Sequence, residues 1–341
     1  MESFYRLILK RALAISWKNK WLWLLGFFAA IIGNGSVYEA LLRGFNNLSQ
    51  GNTIFDTLRE YAESGVLGMI SLTKLSALWQ TDSSAFAVNI FTILLLLCVL
   101  AIIISFGVIG QAGTVEAVIR LDEKKKTGLK ENVKIGLERF WPVLELNVIM
   151  KVVLLGLLFL IIYLTSLVVF ESAAINLILY VISLVIFLVL GIIIYFVTIY
   201  AVAFAVLRRQ GTLDALAGAW HLFRRHILLN LEMGLLLFIL NVGLAIVFFI
   251  AAFIILSQFL LFYFLCLFSG SVIISKIIIA LIMLIFLALM VFVGAWWSTF
   301  QLGVWAILFE ELAVKGGKSK IVRLFEHVVS RIKQRKAKRT S

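Results

Sequence analysis

Apolar residues in this chain come in long blocks, not in alternation. Stretches without a charged side chain occupy Trp21–Tyr38, Ser83–Val115, Val152–Phe170, Ser172–Leu207, Met233–Ser275 and Ile277–Phe309. About 20 mostly apolar residues make a helix that crosses ~30 Å of hydrocarbon at 1.5 Å per residue. The pattern therefore predicts six membrane spans, with cores at Trp21–Ile32, Val88–Val108, Val148–Val169, Leu177–Thr198, Leu235–Leu256 and Ile277–Phe300. The first is the shortest, because Gly33-Asn34-Gly35-Ser36 ends it. It is expected to borrow length from Ala12–Trp17 or to sit tilted and shallow. Phe259–Phe268 is expected to be an extension of the fifth span or a shallow re-entrant turn.

Before the first, third and fifth spans the period changes. Phe4, Leu7, Ile8 and Ile15 share one face of a helix, and so do Leu129, Val133, Gly136, Leu137 and Phe140. Leu213, Leu216, Ala217 and Trp220 form a third such face, and Ile321, Phe325, Val328 and Ile332 in the tail a fourth. Apolar positions three and four apart mark a one-sided helix. In three of these segments a small residue precedes an aromatic by five: Ala12 and Trp17, Gly136 and Trp141, Gly218 and Phe223. Gln111-Ala112-Gly113 and Gln301-Leu302-Gly303 echo each other at the ends of spans two and six. The expected architecture is an all-α polytopic membrane protein of three hairpin repeats in parallel topology, each led by an amphipathic interfacial helix. The units cover residues 1–118, 119–207 and 208–309, followed by a basic amphipathic tail, 310–341. Unit one carries an insertion, 34–86, expected to hold short helices around Val37–Phe45, Ile54–Tyr61 and Val66–Trp79. A structural cap or a binding lid on the outer side would suit its composition.

Composition agrees with a bilayer solvent. Of 341 residues, 63% are apolar and 14% charged, with a mean hydropathy of +1.08. That excludes a soluble globule, which needs polar residues to cover its outside, and excludes a disordered chain. The net charge is +13, and the placement of its charges points to lipid as the partner of this excess, not nucleic acid. With six spans and both termini in the cytoplasm, 26 of the 31 Lys and Arg residues fall on the cytoplasmic side. That is the bias expected of a cell-membrane protein; a seventh span would put the basic tail outside. No cleavable leader is expected, since the basic lead is long and no small-x-small site follows the first apolar run. Cys98 and Cys266 sit in apolar runs and read as small buried hydrophobes.

Charged and amide groups inside spans are the candidates for chemistry, because burying them in lipid is costly. These are Glu116, Glu145, Asn147, Lys151, Asn230 and Glu232. Glu145-Leu146-Asn147 and Asn230-Leu231-Glu232 are mirror versions of one polar pair, and each is expected to offer one inward and one interfacial group. Lys151 facing Glu232 would neutralise both; snorkelling to the headgroups is the structural alternative for Lys151. The stripe Gly107, Gly110, Gly113 and Ala117 is expected to serve close helix packing, as small residues do in membranes. His221 and His226 are five apart, not the four of a helical metal pair, and His327 stands alone. No nucleophile elbow, zinc-protease helix or phosphate loop is present in the sequence, so neither catalysis nor a cofactor is expected.

The runs Gly136–Pro142 (GLERFWP), Gly218–His226 (GAWHLFRRH) and Lys18–Phe28 (KNKWLWLLGFF) resemble the membrane domain attached to some bacterial and archaeal glycerophosphoryl diester phosphodiesterases and its stand-alone relatives. The resemblance spans nearly the whole chain and implies a fold. It implies no catalytic residues, because the phosphodiesterase domain itself has no counterpart here. The expected function is a non-catalytic membrane protein that meets lipid, in particular anionic headgroups on the cytoplasmic face, or organises partners at the inner leaflet. A transporter or channel using the six polar residues between the hairpins is the alternative.

Overall fold

A computed structural model describes residues 4–32, 72–167, 173–268, 270 and 272–315. Among them every regular element is a helix: α1 (Phe4–Lys18), α2 (Leu22–Ile31), α3 (Leu72–Thr81), α4 (Ser83–Asp122), α5 (Leu129–Glu138), α6 (Phe140–Leu167), α7 (Ala173–Leu207), α8 (Thr212–Arg225), α9 (Ile227–Phe268) and α10 (Val272–Lys315). Five of them, α4, α6, α7, α9 and α10, are long and apolar enough to cross a membrane. The expected first span is α2, whose ten residues extend about 15 Å, half the hydrocarbon thickness. Helix α9 runs without a break through Phe259–Phe268, so that stretch extends the span. Of the insertion's expected helices, only the end of the third is described, as α3. The amphipathic tail after Lys315 also lies outside the described residues.

Helices α4, α9 and α10 have 40, 42 and 44 residues, about 60–66 Å or twice the bilayer core. Burial accounts for the surplus at one end of α4 and α10, but not for that of α9, which buries only Leu229, Asn230, Met233, Leu237 and Ala252. At one end α4, α7 and α10 pack on one another and bury Val108–Ile119, Ile194–Val206 and Phe300–Leu312 in a common core. Toward the other end the same helices expose many large apolar side chains, Phe91, Val185 and Leu284 among them. In α4 and α10 the charge-free stretch overruns one membrane thickness because part of it belongs to a protein core.

Around this central trio the short helices take regular places. Helix α5 packs on α4, α8 on α7 and α1 on α10, while α6 runs along α7, α9 along α10, and α2 lies between α4 and α10. Small residues set the approach. A Cβ on Gly110 of α4 would lie 2.5 Å from the carbonyl oxygen of Leu25 in α2. One on Gly136 of α5 would lie 2.6 Å from that of Ile109 in α4. The glycine stripe is thus where α2 and α5 press against α4. The same small residues named in the repeat pattern occupy the other two crossings. Gly218 of α8 faces the Phe204 ring of α7, and Ala12 of α1 faces Gly303 of α10.

The short helices α1, α5 and α8 adjoin the apolar helices that follow them with little between them. One residue, Arg139, separates α5 from α6, and one, His226, separates α8 from α9; Asn19–Trp21 separate α1 from α2. The links from each long helix to the next amphipathic one also correspond. Lys124 after α4 and Arg209 after α7 both adopt positive φ, 61° and 53°, and extended glycines, Gly128 and Gly211, precede α5 and α8. Helix α4 starts at Ser83 because the Asp82 carboxylate accepts from the Ser84 and Ala85 amides.

Candidate functional site

The six polar residues predicted from the spans form several separate contacts instead of one cluster. Asn147 of α6 is buried. Its Nδ2 donates to Gln111 Oε1 of α4 and to Val143 O, each at 2.8 Å. Asn230 of α9 is fully buried, and its Oδ1 accepts from the Tyr200 hydroxyl of α7. At the third boundary, between α10 and α2, Thr299 Oγ1 donates to Leu22 O at 3.1 Å. The bonds Asn147–Gln111, Asn230–Tyr200 and Thr299–Leu22 each tie a long helix of the trio to the N-terminal part of another helix.

The glutamates take the interfacial positions that the triplets allow, since residues two apart lie on different helix faces. Glu145 is exposed and accepts from Thr212 Oγ1, joining α6 to α8. Glu232 is part-buried and accepts from the Tyr5 hydroxyl of α1. Glu116 accepts from Arg120 Nε one turn on, at 2.7 Å, and Arg120 also reaches Glu131 of α5. The expected pairing of Lys151 with Glu232 does not form. Lys151 is on α6, which lies along α7, whereas Glu232 is on α9, which lies along α10, and no ion pair joins the two.

Charge pairs also bind the packed ends together. Arg11 of α1 donates through Nε to Asp122 Oδ1 of α4 at 2.7 Å and through Nη1 to Glu311 Oε1 of α10 at 2.7 Å. Hydrogen bonding to Asp122 is the chief cause that holds the Arg11 guanidinium above its ordinary range. Arg208 of α7 reaches Glu310 of α10 at 3.1 Å. Gln111, Tyr200, Tyr5 and Arg11 are not among the six expected residues: Gln111 follows the apolar core Val88–Val108, the tyrosines carry neutral hydroxyls, and Arg11 precedes the first apolar stretch. The echo of Gln111-Ala112-Gly113 in Gln301-Leu302-Gly303 was the one signal toward Gln111.

Where α4, α7 and α10 meet, a cavity of about 10 Å³ is lined by Gln111 and Val115, by Ile199, Val202 and Ala203, and by Leu302, Trp305 and Ala306. That is the lower limit for one water molecule. Each helix presents a pair four residues apart, and of the lining only Gln111 carries an amide. None of the six predicted residues lines it. Among the described residues no group of three or more His, Cys, Asp and Glu side chains is placed to hold a metal ion. A scan against protein-family models found no match, and searches of curated proteins and of solved structures found none either.

Proposed function

We propose that this chain is a non-catalytic scaffold of the cell membrane, with three units arranged in parallel around one axis and both termini in the cytoplasm. The packed end then lies at the inner leaflet, where the amphipathic helices meet anionic lipid headgroups. The carrying observation is the cyclic seating of the short helices. Each packs on the second long helix of the preceding unit, α5 on α4 and α8 on α7, and α1 on α10 closes the ring. In this reading α2, helped by its packing between α4 and α10, stands for the sixth span. The basic residues that follow α4 and α7 and those of α1 then all face the inner leaflet, in keeping with the positive-inside rule.

The polar contacts favour a scaffold over a transporter. Asn147 and Gln111 bind each other, Asn230 binds Tyr200, and Glu116 binds Arg120. Groups that join helices in this way stabilise a fixed packing, whereas a transport path needs polar groups turned toward a shared, wetted space. The test is purification in mild detergent, with the co-purified lipids and small molecules identified by mass spectrometry. Enrichment of anionic over zwitterionic phospholipid, relative to the source membrane, is the expected result. Reproducible recovery of a water-soluble ligand, together with its flux into protein-containing vesicles, would replace this reading with transport.

A further inference from the structure

We propose that the breaks joining α1 to α2, α5 to α6 and α8 to α9 are three discrete sites for the phosphate of anionic phospholipids. The inference rests on the inner-leaflet reading above and assigns it particular residues. Each break combines an exposed tryptophan with nearby cations. Trp17 is 58% exposed beside Lys18 and Lys20, Trp141 is 68% exposed beside Arg139, and Trp220 is 46% exposed near Arg224 and Arg225. At the third break the Arg224 guanidinium lies 6.0 Å from the centre of the Trp220 ring.

Two features separate these cations from Arg11, Arg120 and Arg208. Those three bind carboxylates and hold helices together. Lys18, Lys20, Arg139, Arg224 and Arg225 make no ion pair among the described residues. Their position is also particular. Each lies where an amphipathic helix seated on the core gives way to an apolar span, which is the depth at which headgroups meet hydrocarbon. Tryptophan concentrates at that depth because its ring is apolar and its N–H is polar. Guanidinium and ammonium groups satisfy phosphate oxygens there. The adjoining exposed apolar side chains, Leu24, Val148 and Leu231, suit acyl chains and select a lipid over free phosphate.

Native mass spectrometry of the full chain, delipidated in neutral detergent and titrated with phosphatidylglycerol or phosphatidylcholine, tests the assignment. The wild-type protein is expected to retain three phosphatidylglycerol molecules saturably, with inorganic phosphate failing to displace them. Lys18→Gln with Lys20→Gln, Arg139→Gln, and Arg224→Gln with Arg225→Gln are each expected to lose one. All five changes together lose all three, Arg139→Lys loses none, and neutralising Lys124, Lys125 and Lys126 loses none. Melting temperatures of these surface variants should match the wild type. Unchanged lipid counts in the break variants overturn the three sites. Loss confined to the Lys124–Lys126 variant overturns them while leaving the inner-leaflet reading in place. No preference for phosphatidylglycerol in the wild type removes both.

Discussion

Asn147 and Asn230 each stand two residues from a glutamate, in opposite order, and in both cases the amide turns inward while the carboxylate stays nearer the surface. The reason is energetic: a neutral amide loses less on leaving water than a carboxylate does, although the Asn230 Nδ2 stays buried without a partner. Replacing Asn147 by Leu leaves Gln111 Oε1 without its Asn147 donor and is expected to destabilise by about 1 kcal/mol. Adding Gln111→Leu should recover most of that loss, which a double-mutant cycle on thermal unfolding in detergent would read as coupling. Glycine crossings should respond more sharply. Gly136→Leu forces α5 away from Ile109 O and should cost about 1–3 kcal/mol, whereas Gly156→Leu and Gly243→Leu meet open space and should leave the melting temperature unchanged. The sequence exposed Gly107, Gly110 and Gly113 by their spacing on one helix face, and Gly136 by its place five residues before Trp141. It did not expose Tyr200 or Tyr5, because a tyrosine in an apolar run reads as packing until its hydroxyl has a partner.

Among the elements, α1 carries the most structural consequence. It lies at the opposite end of the chain from α10, yet Ala12 faces Gly303 and Arg11 joins Asp122 to Glu311. A Cβ on Gly303 would lie 3.7 Å from that of Ala12, inside the range of a disulfide. The Ala12→Cys, Gly303→Cys variant is therefore expected to cross-link within one chain under mild oxidation, shown by a shifted gel band that reductant reverses. Arg11→Gln should slow that cross-linking, because two carboxylates lose their shared cation. One boundary was marked by turn residues: Gly33-Asn34-Gly35-Ser36 was expected to end the first apolar helix, and α2 ends at Ile31. The first apolar core, Trp21–Ile32, is helical over Leu22–Ile31, as short as its sequence made it and too short to cross alone.

For the molecule as a whole, the arrangement around α4, α7 and α10 concentrates burial at one end and leaves the rest of the long helices with bare apolar surface. Lipid is the solvent that such a surface requires. With the packed end at the inner leaflet, a reporter fused to the C-terminus should be protected from outside intact cells and should become accessible after permeabilisation. A reporter placed at Gly270 should behave in the opposite way. External accessibility of the C-terminus would reverse the orientation and remove the inner-leaflet reading with it.

Hydropathy and period alone determined that the described residues are helical and where the long apolar helices lie, because each of those properties depends on neighbours within a few turns. Tertiary structure decided what each polar group is for. Whether Glu232 meets Lys151 or Tyr5, and whether α10 receives α1, depends on which helices come to lie side by side, and spacing along a single helix carries no record of that.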